Sequence, residues 1–223
     1  MTDENYGNFV STAPVNSWAD LKAALSNRTN RWIYRGQSND WPLKTSLERN
    51  LNNWNIDLAR APPIERQFIR DFRRQYRGEH HALVCSDYLH CLSLMQHHGA
   101  PTRLLDFSYS PYVAVKFAVE QGSKKGVVWC LNVEWCNQAV LAIVDEQIIR
   151  QRDTDSSRND SSFDSIYINP STPKKFVYPE NPFHLNERLI VQQGTAPRRR
   201  AALSRSPPSS MLVARRAGLT ATR

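Results

Sequence analysis

Apolar residues recur along this chain at two spacings, and each spacing predicts its own kind of element. Leu21 and Leu25 stand four apart behind Ser17-Trp18-Ala19-Asp20, which has capping-box character, so a helix is predicted from Ser17 to about Ser26. Ile64, Phe68 and Phe72 repeat at four, opening on Pro62-Pro63 and running through Arg77 to Gly78, a proline start and glycine stop suited to a helix. Leu89, Leu92 and Met95 form a third stripe, capped by Ser86 and ended by Gly99 and Pro101. Ser110-Pro111 reads as an N-cap and first turn for a helix through Val113, Phe117 and Ala118 to Gly122. Val140, Ile143, Val144 and Ile148 predict a helix over 139–152.

Strands are predicted where β-branched and aromatic residues gather. Arg31–Arg35 is a short one, with Trp32 and Tyr34 on one face and Gly36 at its end. Gly126–Val133 is a central one, and 165–169, 175–178 and 188–192 are shorter. Leu43–Leu51 follows neither period. The fold expected is α+β, with helices packed on a mixed, mostly antiparallel split sheet around a cleft.

Length and composition place these elements in one domain. The 223 residues bury an ample core without staples. The expected layout is an N-terminal extension over 1–16, a domain over 17–194 with an exposed Asp/Ser-rich loop at 153–165, and a basic tail over 195–223. The net charge of +8 is uneven: the tail holds seven arginines and no acid, and subtracting them leaves +1 for the rest. A basic pI alone is therefore no sign of nucleic-acid binding by the folded part. Disorder is expected in the tail. Two origins are open for it: a shifted reading frame that replaces the native C-terminal strands, or a basic tail for RNA or a protein partner.

Cys85, Cys91, Cys130 and Cys136 lack zinc-knuckle spacing and read as buried reduced thiols, so no metal is expected. No apolar run reaches the roughly 18–20 residues of a membrane span, and MTDENYGNFV has no signal-peptide pattern. A cytoplasmic protein with no membrane partner is the expectation; the sequence sets no oligomeric state.

Chemistry concentrates in two places: WIYRGQSNDW at 32–41 and QHHGAPTRLLDFSYSPYVAVKFAV at 96–119. The second crowds two histidines, an arginine, an aspartate and two serines into a turn, a density typical of functional loops on a rigid scaffold. Arg35 stands beside a glycine corner and suits an anionic ligand. Gln37 and Gln96 can read a base or an amide, and Trp32 and Trp41 can stack on one. His97 and His98 sit at a helix C-terminus. Adjacent helical residues diverge, so one faces the cleft and the other caps the helix. Arg103 and Asp106, three apart, suit an ion pair that braces the loop. Ser110 has a cap to serve; Ser108 has no such duty and is the better site residue.

YRGQ at 34–37, the WPLKTSL that follows, and LMQHHGAPTRLLDFSYSPYVAVKFA at 94–118 closely resemble the FRG domain family, and NERLIVQQG at 186–194 resembles its closing segment. A weaker resemblance is to ADP-ribosyltransferases of the arginine–serine–glutamate type. Arg35-Gly36 is similar to their first element, and Ser108-Tyr109-Ser110 with the helix behind it to their second. Glu187 stands for the third, one position from the pattern and so on the opposite strand face; Asp106 and Glu180 are the other carboxylates in view.

This resemblance implies NAD as cofactor, with Arg35, Gly36, Gln37, His97, Arg103, Asp106, Ser108 and Ser110 around it and Glu187 and His98 as catalytic groups. It also implies a nucleic-acid or protein acceptor and a role in bacterial or phage conflict, as a toxin or in defence. The alternative is a non-catalytic nucleotide or nucleic-acid binding module. A ribonuclease using His97 or His98 is a third reading. All rest on Arg35 and Ser108 converging on a hollow that accepts a dinucleotide.

Overall fold

The structure is a computed structural model and describes residues 12–26, 32–79, 81–121, 125–141, 176–180, 200–204 and 214–220. Two sheets organise it. The first has four strands in the order β1 (Thr12–Val15), β7 (Ala214–Thr220), β4 (Lys125–Asn132) and β2 (Trp32–Gln37). The β1–β7 pair is parallel and the others are antiparallel. The second has β3 (Leu104–Asp106), β6 (Arg200–Ser204) and β5 (Phe176–Glu180), all antiparallel. A lone bridge between Tyr34 and Ser108 links them. The expected α+β class, with a mixed and mostly antiparallel split sheet, is what is seen.

Strand β4 is interior and alternates between two buried faces. Val128 and Cys130 meet Tyr34 of β2 on one face, under α1 (Trp18–Ser26) and α6 (Pro111–Val119). Leu131 meets Ile33 on the other, with Leu105, Phe107, Cys136 and Val177. Burial on both faces is why β4 reads as a nearly continuous apolar run. Helix α6 approaches the sheet closely. A Cβ added at Gly36 or at Gly126 would strike the carbonyl oxygens of Ala114 and Ala118 respectively. Glycine in the strands and alanine in the helix together set that approach.

A third core joins α3 (Ala61–Gln75), α4 (His81–Ser86) and α5 (Tyr88–His97), with Ile69, Val84, Leu92 and Met95 inside. Helix α2 (Ser46–Asn53) covers it from the stretch whose period was ambiguous in sequence; Thr45 and Glu48 close a full capping box. Helix α7 (Val133–Leu141) follows β4 directly, so the predicted helix at 139–152 begins earlier, and 142–152 lie outside the described residues.

Three further expectations are corrected. Asp87, not Ser86, caps α5, its carboxylate accepting the His90 N–H at 2.9 Å. The Arg103–Asp106 turn contains the three-residue strand β3. Residues 200–204 and 214–220 of the expected disordered tail are strands, and the N-terminal extension contributes β1. Strand β7 lies between β1 and β4, so its backbone is paired on both sides, which overrides a weak side-chain pattern. The expected loop at 153–165 and the expected strands at 165–169 and 188–192 lie outside the described residues.

Candidate functional site

Residues 34 and 36 face α6, so period-two alternation turns Arg35 to the reverse side of β2, toward β3. There its Nη1 donates to the main-chain carbonyl of Asp106 at 2.9 Å. The Asp106 carboxylate accepts from Gln96 Nε2 at 2.8 Å, and Gln96 Oε1 accepts from Thr102 Oγ1 at 2.9 Å. Thr102 is fully buried; its N–H donates to Ser46 Oγ at 2.9 Å, and its carbonyl accepts from Ser46 Oγ and Leu47 N, both at 3.1 Å. One hydrogen-bonded chain thus ties β2, β3, the end of α5 and the start of α2.

That chain borders a hollow of about 180 Å³. Arg35, Arg49 and Asp106 supply its charges, Ser46 and Gln96 its neutral polar groups, and Ala100, Leu104 and Leu105 an apolar wall beside Gly99. Gly99 adopts φ 83°, the left-handed turn that ends α5. Burial depresses the Arg35 pKa; Asp106 opposes this, and the like charge of Arg49 adds to it. Arg35 Nε is buried without a hydrogen-bond partner, as is Gln37 Oε1. Such groups are uncommon in a folded interior and point to a ligand or water in the functional state.

Of the expected site residues, Arg35 and Asp106 meet here. Arg103 does not: it is buried against the fully buried Glu65 of α3, in an ion pair supported by its own backbone N–H at 3.2 Å from Glu65 Oε1. The expected Arg103–Asp106 brace is replaced by this longer-range one.

The serines exchange roles. Ser108 is buried, its main chain bonded both ways to Tyr34 at 2.7 Å, and its Oγ accepts the Ser110 N–H at 3.0 Å. Ser110 stands at the N-cap but makes no side-chain cap bond. Ser108 is absent from the wall of the hollow, so its hydroxyl does not converge with Arg35. Ser108→Ala should therefore cost about 1 kcal/mol by orphaning that N–H, and Ser110→Ala under about 0.5 kcal/mol. Denaturant titration separates them; equal losses would contradict the assignment.

His97 and His98 are both exposed and outside the hollow's lining. The His98 backbone N–H caps α5, and its ring lies 6.1 Å from Phe72 and 6.3 Å from Tyr76. The packing duty of Gly36 under α6 accounts for that glycine without a ligand. Glu187 lies outside the described residues. Sequence reasoning missed Ser46 and Arg49, which the Thr45-x-x-Glu48 signature would have placed on a helix.

Three of the four cysteines are buried, and burial pushes the Cys136 thiol up to about 12, so it stays protonated. Cys85 is exposed, against expectation, because α4 turns it to solvent. No group of three or more metal-ligating side chains occurs among the described residues. No helix among them is long and apolar enough to cross a membrane.

The Arg-Gly corner, the small-residue seat of α6 and the Gln96–Asp106 network all fall in one segment of the chain. That segment, residues 30–126, matches the FRG domain family model, and the chain is an FRG domain-containing protein. Neither the curated proteins nor the solved structures contain a match.

Proposed function

We propose that this FRG domain binds a phosphate-bearing, nucleotide-class ligand in the hollow, in the cytoplasm, with Arg35 and Arg49 facing the anion. The supporting observation is the Arg35 guanidinium: its Nε is buried with no partner and Arg49 lies close enough to oppose its charge. An anion between the two arginines relieves both costs through charge-assisted hydrogen bonds. Size limits what enters. A volume of about 180 Å³ is below the roughly 300–1,000 Å³ of sites that enclose drug-sized ligands. One phosphate with its sugar or base fits; a dinucleotide places only one end inside.

Calorimetry with AMP, ADP, NAD and inorganic phosphate tests this. Arg49 is exposed, so Arg49→Ala should leave the fold intact and weaken nucleotide binding at least about tenfold, the loss of one charge-assisted contact of about 1.5–3 kcal/mol. Unchanged affinity in Arg49→Ala and Arg35→Lys, or no binding of any of the four at millimolar concentration, would refute it.

The transferase reading is favoured by Asp106, a carboxylate lining the same hollow as Arg35. It keeps NAD as donor, a nucleic-acid or protein acceptor and a conflict role. Release of nicotinamide from NAD by the wild-type chain supports it; binding without release leaves the module non-catalytic.

A further inference from the structure

Strands β2 and β4 turn three polar side chains to the sheet face away from α6. Tyr34, Gly36, Gly126, Val128 and Cys130 lie on the α6 side. Alternation therefore puts Ile33, Arg35 and Gln37 of β2, and Val127, Trp129 and Leu131 of β4, on the other. Ile33 and Leu131 stand opposite each other there, inside the apolar core. The next pair along the ladder is Arg35 with Trp129, and the one after it is Gln37 with Val127. Gln37 is thus the diagonal neighbour of Trp129, at the about 7–8 Å that long side chains bridge. Among the described residues, Arg35 Nε, Gln37 Oε1 and Trp129 Nε1 are each buried without a hydrogen-bond partner. The three residues as wholes are only half-buried, so part of each remains at the surface.

We infer that Gln37 and Trp129 form a base-reading subsite that continues the hollow past Arg35. The inference rests on the phosphate reading above and assigns the other end of the same ligand: a nucleobase edge with a donor and an acceptor side by side. An unpaired buried polar atom costs stability, and native interiors hold few of them. Three on neighbouring positions of one sheet face serve no bracing purpose, since an atom that bonds nothing braces nothing. Arg35 lines the hollow, whereas Gln37 and Trp129 do not. The phosphate and the base therefore lie on either side of one guanidinium. Positions two apart on a strand are separated by about 7 Å, within the span of a mononucleotide. The indole N–H only donates and the amide oxygen only accepts. Their complement is an acceptor beside a donor, as in the ring nitrogen and amino group of adenine or the carbonyl and ring N–H of uracil. Inorganic phosphate at neutral pH offers mainly acceptors and leaves Gln37 Oε1 unmet. A bridging water or a sugar hydroxyl is the competing occupant, and either predicts no dependence on the base.

Calorimetry on the full chain with AMP, GMP, CMP, UMP and the base-free ribose 5-phosphate tests it. At least one nucleotide should bind about tenfold more tightly than ribose 5-phosphate, the gain from two neutral hydrogen bonds. Gln37→Met keeps the length of the side chain and removes the acceptor. It should weaken that nucleotide about threefold to tenfold and leave ribose 5-phosphate unchanged. Its urea midpoint should equal or exceed wild type, because an unsatisfied buried oxygen is removed. Trp129→Phe, assayed on folded protein, should narrow the preference for the nucleotide in the same way. Arg49→Ala should weaken nucleotide and ribose 5-phosphate alike, which separates the phosphate end from the base end. Equal wild-type affinity for ribose 5-phosphate and all four nucleotides would overturn the base subsite and leave the phosphate reading standing. A lowered urea midpoint in Gln37→Met with an unchanged preference would overturn it too, by giving Oε1 a structural duty. Binding of none of the five would refute the phosphate reading and the subsite with it.

Discussion

Gly36→Ala is expected to destabilise the domain by more than about 3 kcal/mol, the upper end for an overpacked core, and to leave little folded protein. The added Cβ would lie inside the van der Waals envelope of the Ala114 carbonyl oxygen and press on the Ala118 nitrogen as well. A flexible side chain could rotate away from such a contact; helix backbone cannot. Helix α6 would have to lift from β2, opening the core of Tyr34, Ala114, Ala118, Val128 and Cys130. Gly126→Ala meets the Ala118 carbonyl in the same manner and should act in the same direction. Both glycines are thus parts of one seat, and the Arg-Gly pair divides its duties: Gly36 admits the helix on one face while Arg35 reaches Asp106 from the other. Urea unfolding followed by circular dichroism measures the effect. A midpoint equal to wild type would show that α6 does not sit as described.

The sequence made the long elements legible and hid the partnerships. Helices α3, α5 and α6 and strands β2 and β4 were visible because several turns of apolar period, or a full β-branched run, pointed to one face. Helix α2 was not, although Leu47 and Leu51 stand four apart, because polar residues dominate its eight positions. Strand β3 has only three residues, too few for any period. Strand β7 draws its stability from two backbone ladders, which leave no mark in side-chain order. Arg35 and Asp106 were legible as site residues because each lies beside a turn where polar groups need a reason. Local spacing misled elsewhere. It paired Arg103 with Asp106, three residues away, whereas the chain pairs it with Glu65, and it gave the cap duty to Ser110 when Ser108 accepts the bond. Proximity in sequence is a poor guide to which charged groups meet once a helix from another segment closes over them.

Removing one member of the Glu65–Arg103 pair should cost about 3–5 kcal/mol, because the other charge is left uncompensated in the interior. Glu65 is fully buried and Arg103 nearly so. Arg103→Met keeps the volume of the stem but strands the carboxylate, and Glu65→Leu strands the guanidinium. The double variant is the informative one. Replacing both charges by apolar side chains removes the desolvation that the pair sustains, so most of the loss should return. It should not return completely: the Arg103 N–H donates to Glu65 Oε1 at 3.2 Å, and Glu65→Leu leaves that buried donor without an acceptor. That residue of about 1–3 kcal/mol separates the backbone role of Glu65 from its ionic one. Glu65→Gln, which retains the acceptor oxygen, paired with Arg103→Met should then recover more than the apolar double. The pair also locates the site: Arg103 leads directly into β3, and β3 carries the Asp106 carbonyl that Arg35 grips. Loss of the pair should therefore weaken nucleotide binding in whatever fraction stays folded. Nucleotide affinity equal to wild type in Arg103→Met, measured on folded protein, would show that β3 keeps its place without help from α3.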